Sequence, residues 1–150
     1  LISFIPRFSG SKLFFTKGLM LIFGELGAIL ARQTGEEVAE TIRSGNSALG
    51  ALIRIHSEWS VIATFLFGVL ALAYIVRFTQ EYLPTFFGRK NILITVIDRC
   101  AATVLFAPLR ILLVLMGLSA LIVTGALGGA IVYGPTIDPL VSLIYQLLVK

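Results

Sequence analysis

Between Arg110 and Tyr133 the sequence reads RILLVLMGLSALIVTGALGGAIVY, and no residue from 111 to 132 can carry a charge. As an α-helix this stretch rises about 33 Å at about 1.5 Å per residue, enough to cross a hydrocarbon core about 30 Å thick. Its second half is rich in small residues. Gly125 and Gly129 form a GxxxG pair, with Thr124 and Gly128 on the adjoining row and Ala126 and Ala130 beside them. Another backbone can approach closely where side chains are missing. Arg110 and Tyr133 stand at the two mouths as interface anchors. The stretch therefore predicts a spanning helix with a packing face made of Thr124, Gly125, Gly128 and Gly129.

The rest of the composition agrees with a chain dissolved in lipid. Of 150 residues, 57% are hydrophobic and 13% charged, with a mean hydropathy of +0.97. Soluble domains carry about 25% charged residues. The length fits one domain. The net charge of +4 does not require a nucleic-acid partner, because membrane proteins gather Lys and Arg on their cytoplasmic side. Cys100 is the single cysteine, which rules out an internal disulfide and a thiolate metal cluster. The sequence opens on Leu1 rather than Met, so upstream residues can be missing, and no signal peptide is visible.

Two further spans are expected. The first covers about 13–31, interrupted by Lys17, which can snorkel, and by Glu25 in mid-segment, with residues 1–11 as an interfacial lead-in. The second covers about 59–76, opening on Trp59 and ending at Arg77. Between them lies a polar loop, 32–58. Within it Thr34 and Glu37 match a capping box that would start a short helix, stopped by Gly45 and Asn46. Leu49, Leu52, Ile53 and His56, three and four apart, would share one helix face. Residues 80–91 read as a loop. Segment 92–107 carries Asp98 and Arg99, and Pro108 offers a break, so it reads as an interfacial helix leading into the main span at 111–133. After Gly134 and Pro135, Asp138 caps a last interfacial helix at 139–149 with Pro139 at its first position. The expected architecture is all-α, with about three transmembrane helices plus interfacial helices in one transmembrane domain. Eight Lys or Arg residues flank the N-terminal side and the 77–110 connection, against three in the 32–58 loop. The N-terminus and the second connection should therefore be cytoplasmic, and the polar loop and the last helix should face outward.

A polar loop ending in one histidine before a span, His56-Ser-Glu-Trp59, and a glycine-rich exit from the last span, 124–133, are found together here. In both, the chain resembles a family of small bacterial membrane proteins catalogued as domain of unknown function 2231, over roughly residues 19–133. It departs from that family in lacking a first span with a His-Pro motif, and in having Pro135 to Asp138 where the family continues with glycine. The resemblance implies the bacterial inner (cytoplasmic) membrane and no defined activity. Its members tend to occur near redox and cytochrome proteins, an associational hint only.

The candidate chemistry is sparse. His56 could be an axial ligand of haem b, or a hydrogen-bonded histidine with no cofactor. Met20, Met116 or another chain would have to supply the second ligand, and both methionines fall towards the opposite side of the membrane. Glu25 is costly inside a span, by about 2.5–3.5 kcal/mol, and marks a polar partner or a proton path. Arg54, His56 or a group on a neighbouring subunit could be its partner, and the plainer reading is a packing hydrogen bond made by the uncharged acid. Asp98 would pair with Arg99 or Arg89, and Arg89, Lys90, Arg99 and Arg110 could hold anionic lipid head groups. Cys100 should be inert. No hydrolase elbow, P-loop or dinucleotide fingerprint occurs. The expectation is therefore no enzyme and no cofactor, but an accessory or structural subunit packing on other membrane subunits through its glycine-rich helix. The alternative is a small electron-transfer subunit holding haem b or quinone near His56.

Overall fold

The computed structural model describes residues 11–43, 47–82 and 92–149. Among these the order is α1 (Ser11–Arg43), α2 (Ser47–Tyr82), α3 (Ile92–Leu105), α4 (Ala107–Tyr133) and α5 (Pro139–Leu148), with no strand. Three stretches are long and apolar enough to cross a membrane: Leu13–Glu37, Leu49–Tyr82 and Ala107–Tyr133. The protein is thus an all-α membrane protein.

The two helical turns expected in the polar 32–58 segment are not separate elements. They are the continuous ends of α1 and α2, and only residues 44–46, where the Gly45–Asn46 stop was expected, fall outside the described chain. Thr34 is not an N-cap. Its hydroxyl lies inside α1 and donates back to the carbonyls of Leu30 (3.2 Å) and Ala31 (3.1 Å). Extending a helix already formed adds one hydrogen bond per residue fixed, whereas starting a new one repeats the nucleation cost. The capping motif loses to that difference. Similarly, α2 runs through Gln80 to Tyr82, beyond the expected loop boundary, while residues 83–91 lie outside the described set. At 36 residues α2 is about 54 Å long, well beyond a bilayer core. Its uncharged run, 59–76, rises about 27 Å, so Arg54 and Glu58 before it and Arg77 after it fall near the two lipid surfaces.

The break before the main span falls at Phe106, between α3 and α4. In an uninterrupted helix the Pro108 ring would strike the carbonyl four residues earlier, on Val104. Instead α4 restarts with Pro108 in its first turn, and the Arg110 N–H reaches the Phe106 carbonyl at 2.9 Å. α4 ends at Gly134, whose φ of +92° suits a residue without a Cβ, and whose N–H closes on the Ala130 carbonyl at 3.0 Å. Asp138 then caps α5, accepting the Val141 N–H at 2.9 Å, with Pro139 following.

The packing of the described residues gathers into two compact units, one of 11–26, 67–82 and 92–113, the other of 27–43, 47–66 and 114–149. In the first, Gly18 lets aromatic rings of α2 close on α1. A Cβ there would strike the Phe78 ring and stand 2.8 Å from Tyr74 Cδ1. Phe14 stacks near Tyr74 (centroids 4.9 Å apart) and meets Phe78 edge-on at 5.5 Å. The Arg77–Asp98 ion pair, 2.9 Å, ties α2 to α3, and Arg110 of α4 lies near the Tyr74 hydroxyl. Asp98 therefore pairs across helices, with Arg77 rather than its neighbour Arg99. In the second unit, Leu52 of α2, Ala126, Leu127 and Ala130 of α4, and Val141 and Ile144 of α5 form the core. Trp59 packs partly buried against that core, inside α2 rather than at a helix entry.

Candidate functional site

His56 belongs to the second unit, on the α2 face that also buries Leu52 and Ile53. Its Nδ1 lies 2.9 Å from the Thr124 carbonyl oxygen. A carbonyl oxygen only accepts, so Nδ1 carries the proton and donates, and in the neutral ring Nε2 keeps the lone pair. The Thr124 carbonyl sits on the turn covered by residue 128, which is glycine. A Cβ on Gly128 would stand 3.3 Å from His56 Cε1, tighter than an ordinary contact. The absent side chain makes a notch in α4, and the imidazole fills it. Thr124 turns its own hydroxyl back to the Ala120 carbonyl at 2.8 Å. Nearby, Ser57 donates to Glu36 of α1 at 3.4 Å, and Arg54 pairs with Glu58 at 2.6 Å. The site is a polar clasp that locks α2 onto α4.

The glycine face divides three ways. Gly128 receives His56, and Gly129 receives α5, its Cβ position being 3.6 Å from Val141 Cγ2. Gly125 looks into open space. The GxxxG spacing thus does not act as one surface: Gly129 packs inside the chain, and Gly125 faces away. Gly117, earlier in the same helix, is buried.

Neither partner expected within the chain meets Glu25, since Arg54 is taken by Glu58 and His56 by Thr124. Glu25 rests instead against α2, with Oε1 3.3 Å from where a Cβ on Gly68 would stand. Of the four residues assigned to lipid head groups, Arg99 is exposed on α3 and Arg110 lies near Tyr74, while Arg89 and Lys90 lie outside the described residues. Met20 and Met116 are exposed, as is Cys100. Among the described residues no group of three or more His, Cys, Asp or Glu could hold a metal ion.

Sequence reasoning missed one surface. Gly24, Gly27, Ala28, Ala31 and Gly35 fall within about 100° of the circumference of α1, and all five are exposed. No atom lies within 4 Å of a Cβ built on Gly24, Gly27 or Gly35. The signal was present as a small residue every three or four positions. Together these features define the class: an all-α integral membrane protein with a histidine clasp inside it and a small-residue face outside. Within that class no family model, curated protein or solved structure matches the chain.

Proposed function

We propose that this chain is a non-catalytic accessory or structural subunit of a larger complex in the bacterial cytoplasmic membrane, with anionic lipids around its basic edge. The observation that carries this reading is how little its first span packs on its own chain. Only 11% of the apolar window of Leu13–Glu37 is buried, against 33% for Leu49–Tyr82 and 22% for Ala107–Tyr133. Each interior glycine costs a helix about 0.8–1.0 kcal/mol relative to alanine. Gly24, Gly27 and Gly35 incur that cost with no neighbour among the described residues to offset it. A partner helix seated on that face would recover it through close backbone packing. The test is co-purification of the tagged full-length chain from its native membrane in mild detergent, followed by mass spectrometry. A stoichiometric membrane partner, weakened by Gly27→Leu, is expected. Purification without any such partner overturns the reading.

A second reading rests on the histidine tautomer. With Nδ1–H on a backbone carbonyl, His56 has the arrangement that orients a metal-bound imidazole through Nε2. This supports a small electron-transfer subunit holding haem b or quinone near His56. The accessory reading expects a His56→Ala variant, once assembled, to keep whatever b-type absorbance the complex shows. Loss of that band would promote the alternative.

A further inference from the structure

Glu25 lies midway along Leu13–Glu37, and Gly68 lies at the centre of the uncharged run 59–76 of α2. The carboxyl therefore sits near the bilayer midplane, with one side in the notch that Gly68 leaves. Its other side is open, for the residue is only half-buried. Among the described residues Glu25 has no hydrogen-bond or ion-pair partner, and the nearest basic residues of α1, Lys17 and Arg32, are eight and seven positions away. Hydrocarbon offers no water to a polar group left in that position, so a group beyond the described residues must meet it.

We propose that Glu25 is an association site for a second copy of this chain, the two carboxyls pairing across a two-fold axis along the membrane normal. An uncharged carboxyl carries one O–H donor and a free acceptor, so two of them satisfy each other with a pair of hydrogen bonds and need no third group. Copies inserted in one membrane share one orientation, and a two-fold axis along the normal sets a residue near it against its own equivalent. Access is open on the same helix. Gly24 and Ala28 flank Glu25 one residue before and three after, both are exposed, and a Cβ on Gly24 would meet nothing within 4 Å. This goes beyond the accessory reading and does not depend on it, since a dimer can stand alone or sit inside a larger complex.

The experiment uses the full chain with Cys100→Ser and Gly24→Cys, in liposomes of phosphatidylethanolamine and phosphatidylglycerol, with disulfide cross-linking scored at several lipid-to-protein ratios. Glu25→Gln keeps a donor and an acceptor in one side chain and should cross-link like the parent. Glu25→Leu keeps the bulk, inserts more easily and removes both groups, so its apparent association should fall about tenfold. Helix content by circular dichroism checks each variant, and Glu25→Ala replaces the leucine variant if that one loses helix. A parent chain that stays monomeric, or a leucine or alanine variant that dimerises as the parent does, overturns the proposal. Neither result touches the co-purification outcome, so the two readings fail separately.

Discussion

At the scale of single residues, the same amino acid has opposite consequences a few positions apart. Gly128→Leu must displace the His56 ring, because even a Cβ would be 3.3 Å from it. Overpacking of this kind costs about 1–3 kcal/mol. Gly129→Leu should act similarly by pushing away Val141, whereas Gly125→Leu points into open space and should leave the thermal midpoint of the isolated chain unchanged. Thermal unfolding of the three variants in mild detergent checks this, and an equal loss in all three would show that the faces are misassigned. His56→Ala removes one interhelical hydrogen bond, which measures about 0.6 kcal/mol on average and about 1.7 at most in a membrane. A smaller effect than Gly128→Leu is therefore expected from it in the same assay. Gly18→Ala belongs here too. The Tyr74 and Phe78 rings fill the space a methyl would need, so a loss of about 1–3 kcal/mol is expected.

At the scale of elements, α5 is held by its cap and by two buried side chains. Asp138 accepts the Val141 N–H, and Val141 and Ile144 enter the core of the second unit. Asp138→Ala should cost about 0.5–2 kcal/mol, as lost N-caps do. The measurement is proteolysis or amide exchange of α5, with faster opening confined to residues 139–148; protection equal to the parent's would mean that the core alone holds the helix. Leu140, Leu143 and Leu147 stay exposed on its outer side, so α5 is apolar on two faces rather than one. The Arg77–Asp98 pair between α2 and α3 is about 40% exposed on each side chain, 44% and 39%, and such pairs contribute about 0–1 kcal/mol. Asp98→Asn should therefore be nearly silent in thermal stability, and more silent in high salt.

At the scale of the whole molecule, eight basic residues on one side against three on the other predict an orientation, with the N-terminus cytoplasmic. Single cysteines at Ser44 and Thr85 in a Cys100→Ser background should react with a membrane-impermeant maleimide in intact cells at Ser44 only. Labelling at Thr85 alone would invert the topology. Much of the architecture was legible before any coordinates, because transmembrane helices are selected by length and apolarity. Both are properties of a segment by itself, and lipid forces its backbone bonds to close internally. The cap at Asp138 and the stop at Gly134 were equally local and equally readable. Where each side chain's partner lay was not local. Asp98 met Arg77 rather than Arg99, and His56 met a backbone carbonyl 68 positions away. Thr34 carried the letters of a cap yet sat inside a helix, since a cap motif acts only where a helix begins. The sequence by itself therefore determined an all-α membrane protein, its three apolar spans and the caps of its last helix. Tertiary structure alone decided which glycines are filled and which stay open, because that depends on the neighbour opposite each missing side chain: His56 for Gly128, Val141 for Gly129, Glu25 for Gly68, and nothing among the described residues for Gly24, Gly27 and Gly125.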